Sequence, residues 1–361
     1  MVLNRIIRFG GKCMSSLASF TGCMMGGAIG DALGYPVEFK SYDQRIAEYG
    51  QQEIKKPLLS KHEVAEISDD TQMTLFTAEG LIWAEAVRKK NGYSSIPARC
   101  FCSYQRWLYT QQYPLAQPDY EWMIQDERLE MDSPLLKTKE LYHRRMPKKT
   151  CIESLLEAKE QEYGTIIQPI NREKGSGAVV RVAPIGLAFH DNPKQAFEAG
   201  CDVAAITHTH PTAYYSAGVF SAMISYLLMG STVEEAASEA VSLLERCPSA
   251  AETIGAVKQA KSKELLKAPA EQAVKTFGTG AISKDALAIG IYCALRYEKE
   301  YKNAVCLAAN HEGDTCAGTV ICGSLLGAEH GITGLEEDWI KQIECKDLIL
   351  KMACMLYSSY E

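Results

Sequence analysis

The stretch SDDTQMTLFTAEGLIWAEAVRKK, residues 68–90, joins an oxygen-rich start to a helical pattern. From Thr71 onward, small and apolar side chains recur three or four positions apart, which is the spacing of one helix face. They are Met73, Phe76, Thr77, Gly80, Leu81 and Ala84. Charged residues gather at the end of the stretch, where helices commonly stop. The stretch therefore predicts a helix over residues 71–90.

Similar helical patterns occur further along the chain. Thr232 and Glu235 have the spacing of a capping box, and apolar residues at helical spacing follow them. Ser283 is placed to cap another helix, and residues 316–329 form a further helical stretch of small and apolar residues. Alternating patterns typical of strands are scarce. The sequence therefore predicts an all-α fold.

The composition excludes several classes of protein. The chain has 361 residues, 47% of them hydrophobic, and can bury a full core. Its net charge of −7 argues against a nucleic-acid partner, and we expect Arg144–Arg145 and Lys148–Lys149 to lie in a solvated loop. No run reaches the roughly 18 uncharged apolar residues of a membrane span. Thirteen cysteines without a CxxC pair suggest buried thiols in a reducing compartment, hence a cytoplasmic location.

Residues 19–361 are predicted to form one compact multi-helix domain, preceded by an N-terminal extension over residues 1–18. Two stretches of the domain lack a regular pattern. Residues 40–67 are polar and charged, which is typical of a mobile surface loop. Residues 112–176 contain several prolines and many charges, and we expect them to form a peripheral insertion that closes over a site.

Two acidic helix starts lie far apart in the sequence. The first contains Ser68, Asp69 and Asp70, and the second contains Asp314 and Cys316. Carboxylates and hydroxyls are the ligands that hard divalent cations prefer, and the positive end of a helix keeps carboxylates ionised. Each group can also be a simple helix cap. The residues alone leave open whether they are two independent caps or one shared ion site.

A glycine-rich run, GGAIGDALG, occupies residues 26–34 and leads to Glu38. Glycine in a helix costs about 1 kcal/mol relative to alanine, so the run indicates close packing against another helix. No strand precedes it and the GxGxxG pattern is absent, which argues against a dinucleotide motif. Glu38 follows the run, and a carboxylate there could act on a bound water beside a metal cleft.

A second glycine-bearing stretch, NREKGSGAVVR, covers residues 171–181. Backbone N–H groups in such a loop can hold phosphate oxygens. The THTHP segment at 207–211 follows it, with His208 and His210 two positions apart. No third histidine has matching spacing, which argues against a zinc site. We expect hydrogen bonding to substrate or backbone as the role of His208.

In this order, the segments resemble the ADP-ribosylglycohydrolase superfamily, which includes the dinitrogenase reductase-activating glycohydrolases and the ADP-ribosylarginine hydrolases. The resemblance covers nearly the whole chain from Thr21. The matching blocks are GCMMGGAIGDALGYPVEF (22–39), SDDTQM (68–73), RRMPKKTCIESL (144–155), KGSGAVVRVAPIGL (174–187), THTHPTAYYSAG (207–218), DALAIGIYCALR (285–296) and NHEGDTCAGTVICGSLLGA (310–328).

The resemblance implies an orthogonal helical bundle with one or two Mg²⁺ ions, or Mn²⁺, at the bottom of a cleft that binds ADP-ribose. It implies hydrolysis of the bond between ribose C1″ and a side chain of an ADP-ribosylated protein, with arginine as the expected acceptor. By matched position, the implied catalytic residues are Glu38, Asp69 and Asp70. The implied metal ligands are Ser68, Asp69, Asp70, Asp314 and Cys316. The implied substrate-binding residues are Asp31, Lys174, Gly175, Ser176, Gly177 and His208.

The chain departs from the family pattern at the second acidic helix start. Members of the family usually read GDSDST where this chain reads GDTCAG, residues 313–318. Cys316 therefore replaces an ion-bridging aspartate and Ala317 replaces a hydroxyl ligand, and a thiol suits magnesium poorly. Three outcomes remain open. They are hydrolysis with one well-held ion, use of manganese or zinc through Cys316, and binding of ADP-ribose or a partner protein without efficient turnover. We favour the first, because the other acidic residues are present. The extension over residues 1–18 is a candidate contact for a partner protein.

Overall fold

The computed structural model describes residues 16–51, 53–112, 133–158 and 162–361. No strand occurs in these ranges, where two isolated bridges, Ala65 with Ile343 and Gly175 with Ile282, are the only strand-like pairings. The predicted all-α fold is confirmed. The helices are α1 Leu17–Gly34, α2 Tyr42–Tyr49, α3 Asp69–Asn91, α4 Ile96–Gln112, α5 Lys149–Glu157, α6 Ala183–Ala188, α7 Pro193–Ala205, α8 Pro211–Leu228, α9 Val233–Ser242, α10 Ala251–Ala260, α11 Lys263–Lys267, α12 Ala270–Val274, α13 Ser283–Arg296, α14 Tyr301–Ala309, α15 Thr315–His330, α16 Glu337–Gln342 and α17 Lys346–Tyr360.

The most extensive contact between two helices in the described residues is that of α1 with α15. A Cβ atom on Gly26 would lie 2.3 Å from the carbonyl oxygen of Gly323, and one on Gly34 would lie 2.7 Å from the backbone nitrogen of Cys316. These distances are too short for any side chain, so the two backbones approach this closely only because glycines lie between them. The predicted packing role of the glycine run is confirmed. The end of α1 therefore lies directly against the first turn of α15.

Capping residues define most of the predicted helix starts. Ser68 caps α3, and its hydroxyl accepts a backbone N–H at 3.2 Å. Thr232 and Glu235 form the predicted capping box of α9. The prediction for Ser283 was wrong, because this residue is the first of α13 and not its cap. Its hydroxyl instead donates to the carbonyl oxygen of Gly175 at 2.6 Å, and this tertiary contact takes the hydrogen bond that a cap would make.

Residues 40–67 are more ordered than the loop prediction allowed. They contain α2, which begins with a capping box of Ser41 and Gln44. Arg45 on this helix is fully buried, and its guanidinium donates to the backbone carbonyl of His311. The loop prediction was therefore wrong for α2, because its single buried side chain leaves no apolar periodicity in the sequence.

The predicted insertion over residues 112–176 is described only in part. Residues 113–132 and 159–161 lie outside the described residues. Within the described part, α5 buries Cys151 and Leu155 in the core. Closure of this insertion over a site stays a prediction.

Seven of the twelve described cysteines are buried, in keeping with the prediction of buried thiols. In the part of the chain that the structure describes, every helix is too short or too polar to cross a membrane. Residues 1–15 of the predicted extension lie outside the described residues, so the domain boundary at residue 18 stays a prediction.

Candidate functional site

Asp31, on α1, anchors the first turn of α3. Its Oδ1 accepts the Ser68 hydroxyl at 2.6 Å, and its Oδ2 accepts the Ser68 N–H at 2.8 Å, the Thr71 hydroxyl at 2.6 Å and the Thr71 N–H at 3.2 Å. Burial raises the pKa of Asp31, and the hydrogen bonds from Ser68 and Thr71 oppose that shift. The substrate contact expected of Asp31 stays a prediction. Both of its oxygens are engaged beneath the helix start, where they hold Ser68 and Thr71.

The first acidic helix start consists of Ser68, Asp69 and Asp70, all buried. The Ser68 hydroxyl donates to Asp31 and accepts the Asp70 N–H, which leaves it one lone pair for an ion. The Asp69 Oδ2 accepts the backbone N–H of Lys148 at 3.0 Å. Its Oδ1 has no hydrogen-bond partner, and neither has either oxygen of Asp70.

The second acidic helix start is built around Asp314, which caps α15. Its Oδ1 accepts the Ala317 N–H at 3.1 Å, and its Oδ2 accepts the Ser176 hydroxyl at 2.6 Å. Gly313 precedes it with a φ of 131°, a backbone conformation that glycine adopts without strain. This turn brings the Asp314 N–H to the carbonyl oxygen of Thr279 at 2.8 Å and so fixes the direction of the carboxylate.

The two acidic helix starts meet at the ammonium of Lys148. Its Nζ lies 2.7 Å from Glu38 Oε1, 3.2 Å from Asp314 Oδ2 and 3.9 Å from Asp70 Oδ1. Only 14% of the Lys148 side chain is exposed. Burial alone would lower the pKa of Lys148, but the surrounding carboxylates outweigh it and raise the pKa well above its usual value. The structure therefore brings Glu38, Asp69, Asp70 and Asp314 together around one point.

The predicted solvated loop at Arg144–Arg145 and Lys148–Lys149 was wrong for two of its four residues. Lys148 is held in the acidic cluster, and Arg145 is buried in an ion pair with Glu344. Arg145 also donates to the backbone carbonyl of Ile67 at 2.9 Å, next to the first acidic helix start. Carboxylate partners offset the desolvation of both cations, and nothing in the local sequence identifies those partners.

Burial disfavours the charged form of the carboxyl groups in the site. Burial raises the pKa of Asp70 well above its usual value, and it raises the pKa of Asp69 to about 8 and that of Glu38 to about 7. The charge of Lys148 opposes each of these shifts. A single ammonium therefore does not neutralise the cluster, and Glu38 Oε2 and three oxygens of the aspartates remain without a hydrogen-bond partner.

These unpaired oxygens fit a divalent cation on the side of Asp69 and Asp70. The donors are carboxylate oxygens, which suit Mg²⁺ or Mn²⁺, and the excess negative charge favours a dication. Cys316 is a weaker candidate. Its Sγ lies within 4.8 Å of carboxylate oxygens of Asp31 and Asp70, but burial raises the pKa of the thiol well above its usual value. A neutral thiol is a poor ligand for a hard cation.

The loop at residues 174–177 joins the cluster through Ser176, whose hydroxyl bonds to Asp314. Gly177 packs against the stem of Lys148, since a Cβ there would lie 3.2 Å from the Lys148 Cβ. Lys174 points away from the carboxylates and pairs with Glu252 at 3.3 Å on the surface. The loop therefore borders the acidic cluster along its glycines and serine, with Lys174 at its outer end.

His208 lies beside this loop as a buried, neutral ring. A Cβ on Gly175 would lie 3.5 Å from its Nε2. Burial and the charge of Arg181 lower the pKa of His208 to about 3. Arg181 donates to the Thr207 hydroxyl at 2.7 Å, and that hydroxyl shares a hydrogen bond with His208 Nδ1 at 2.8 Å. The other ring nitrogen, Nε2, faces Gly175.

The chain belongs to the ADP-ribosylglycohydrolase family, whose model matches residues 14–361. The resemblance stated from the sequence is thereby confirmed. The family consists of hydrolases that are generally dependent on divalent metal ions. The acidic cluster described above offers the oxygen ligands that such an ion needs.

Individual relatives are distant. An uncharacterized protein of Archaeoglobus fulgidus is 24% identical over 342 residues, which is 94% of this chain and 95% of that protein. The ADP-ribosylarginine hydrolase Tri1 of Pseudomonas putida is 24% identical over 183 residues, 51% of this chain and 46% of Tri1. A solved structure, an ADP-ribosylglycohydrolase-related protein complex, has the same fold, with a TM-score of 0.64 at 18% identity. The match covers 96% of this chain and 99% of that one.

Proposed function

We propose that this protein hydrolyses the bond between ADP-ribose and a protein side chain, with arginine as the acceptor and one Mg²⁺ or Mn²⁺ ion as cofactor. The observation that carries the proposal is the convergence of four carboxyl groups from distant segments, with oxygens left unpaired inside the protein. A buried group of this kind is destabilising unless a ligand or ion completes it. The distant similarity to an ADP-ribosylarginine hydrolase supports arginine as the acceptor.

Each part of the site has a task in this reaction. Asp69 and Asp70 would hold the ion, and Asp31 holds the residues on either side of them from below. A bound divalent ion supplies positive charge that orients a water molecule and the ribose hydroxyls. Glu38 has a pKa near 7 and one unpaired oxygen, so it is suited to take a proton from that water or give one to the leaving group.

The carboxylates also suit the charge that develops in this reaction. Cleavage of a glycosidic bond builds positive charge at the anomeric carbon, and negative side chains stabilise it. The loop at residues 174–177 would lie along the diphosphate, and the Nε2 of His208, which faces Gly175, would contact the ribose. Ser176 ties this loop to Asp314, so one hydrogen bond would position the substrate-binding loop against the acidic cluster.

The proposal is tested by incubating the protein, near stoichiometric with substrate, with a protein carrying ADP-ribosylarginine, and by measuring free ADP-ribose. We expect release with Mg²⁺ or Mn²⁺ and loss of release in Asp69→Asn and Asp70→Asn. Asp191→Asn is the matched control, because Asp191 is exposed on the surface. A parallel substrate modified on serine tests the acceptor. Absence of release with either ion would refute hydrolysis.

A second function is supported by Cys316. A buried neutral thiol at the second acidic helix start removes one negative charge and one oxygen ligand compared with the family pattern. We infer that such a site could bind ADP-ribose without efficient turnover. Calorimetric titration with ADP-ribose, read together with the release assay, separates the two functions. Binding of ADP-ribose without its release from the modified protein supports this second function, and release supports the first.

A further inference from the structure

Lys148 is held in the acidic cluster by contacts along its whole length. Its backbone N–H donates to Asp69, and its carbonyl oxygen accepts the first N–H bonds of α5, from Cys151 and Ile152. Its stem packs against Gly177, where any added Cβ would lie 3.2 Å from both the Cβ and the Cγ of the lysine. These contacts therefore fix the position of the ammonium.

The neighbouring lysine shows the contrast. The side chain of Lys149 is 85% exposed and pairs with Glu153 on the surface of α5 at 3.4 Å. The Lys148 side chain is 14% exposed and faces three carboxyl groups. The two adjacent residues have the same side chain, and only the first is part of the site.

The ammonium divides the cluster into two sides. On one side it bonds to Glu38 at 2.7 Å and to both oxygens of Asp314 at 3.2 and 3.3 Å. These contacts use the three donors that an ammonium has. On the other side, both oxygens of Asp70 and the Oδ1 of Asp69 are buried without a hydrogen-bond partner, and Asp70 Oδ1 is 3.9 Å from the ammonium. One side therefore already holds a cation in hydrogen-bond contact, and the other has oxygens open to one.

We propose that the Lys148 ammonium takes the place of one of two cations between the acidic helix starts, so that the site admits one divalent ion fewer than its carboxylates would otherwise hold. The thiol of Cys316, at a position where the family usually has an aspartate, fits this arrangement. The ammonium of Lys148 carries a single charge and needs fewer carboxylate partners than a divalent ion. The inference rests on the proposed ion-assisted function, but its test counts ions and requires no turnover.

The test is a titration of the full chain with Mn²⁺, with the number of bound ions measured by equilibrium dialysis and their proximity by electron paramagnetic resonance. Lys148→Met removes the charged Nζ and keeps an unbranched side chain out to the ε position. Lys149→Met is the matched control. Lys148→Met combined with Cys316→Asp restores an oxygen ligand and is a second, independent variant should the first bind weakly. Circular dichroism checks that each variant is folded.

We expect one ion in the wild type and in Lys149→Met, with the spectrum of an isolated Mn²⁺. We expect a second ion in Lys148→Met or in the double variant, with the coupled spectrum of two ions roughly 3.5–4 Å apart. No ion in the wild type but one in Lys148→Met would still support the role of Lys148 and would refute the ion in the proposed function. Two ions in the wild type, or the same count in the wild type and both Lys148 variants, would overturn the inference.

Discussion

Replacing Asp70 by asparagine should stabilise the protein in the absence of metal. Both Asp70 oxygens are buried without a hydrogen-bond partner, and the nearest cation, Lys148 Nζ, is 3.9 Å away. The substitution therefore removes no hydrogen bond made by the carboxylate. It does remove a charge that burial and the neighbouring carboxyl groups of Asp69 and Asp314 disfavour.

The size of the effect follows from the state of the carboxyl group. At about pH 7.5, keeping a carboxyl group protonated in the folded protein costs roughly 5 kcal/mol of stability if its unfolded-state pKa is near 3.9. This cost is the largest gain in stability that Asp70→Asn can give. The charge of Lys148 reduces that cost, and the positive end of α3 offsets about 0.3–1 kcal/mol of it. We expect a gain in the free energy of unfolding of about 1–3 kcal/mol in EDTA.

With a saturating concentration of the ion, the wild type should be more stable than Asp70→Asn. An ion that binds only the folded wild type adds about 2.7 kcal/mol at a hundred times its Kd, and Asp70→Asn should gain little of this. Urea unfolding of both proteins in EDTA and in Mn²⁺ measures the two differences, with Asp191→Asn as the control. An Asp70→Asn protein less stable than the wild type in EDTA by more than about 1 kcal/mol would refute the reasoning, because the carboxylate would then make a favourable contact.

Two further predictions concern the metal-free protein and its core. The free energy of unfolding in EDTA should fall by roughly 6 kcal/mol as the pH rises from about 5 to 8, about 3 kcal/mol for each group, because the pKa values of Glu38 and Asp69 are raised by folding to about 7 and about 8. Urea titrations at several pH values measure this, and a rise over the same window would contradict it. Gly26→Ala should destabilise the protein by at least about 1–3 kcal/mol, because its Cβ would lie 2.3 Å from the carbonyl oxygen of Gly323. Gly255→Ala, in a helix with nothing within 4 Å of the new Cβ, should be neutral or slightly stabilising, and equal effects of the two substitutions would contradict the packing argument.

Local signals in the sequence predicted the helices α3, α9, α13 and α15 and the two acidic helix starts. Ser68 and Thr232 act within three or four residues of the chain, so their capping roles can be inferred without tertiary information. The glycine run of α1 was also informative, because glycine in a helix is costly unless another backbone lies against it. Its partner, α15, could not be identified from the run alone.

Roles that depend on distant partners were not predictable in the same way. Asp31 was predicted to bind substrate, and its hydrogen bonds with Ser68 and Thr71, nearly forty positions away, could not be inferred. Lys148 and Lys149 are identical in sequence terms, and only the fold decides which of them faces the carboxylates. Charged residues are usually solvated, so the burial of a lysine can be inferred only when the positions of its carboxylate partners are known.

In our proposal, the two acidic helix starts form one site for a divalent cation beside a fixed ammonium. Anomalous diffraction from a crystal soaked in Mn²⁺ is the decisive test of this site. We expect one anomalous peak bound by Asp69 and Asp70, with Lys148 still in contact with Glu38 and Asp314. The absence of a peak, or two peaks with the Lys148 ammonium displaced from the cluster, would contradict it.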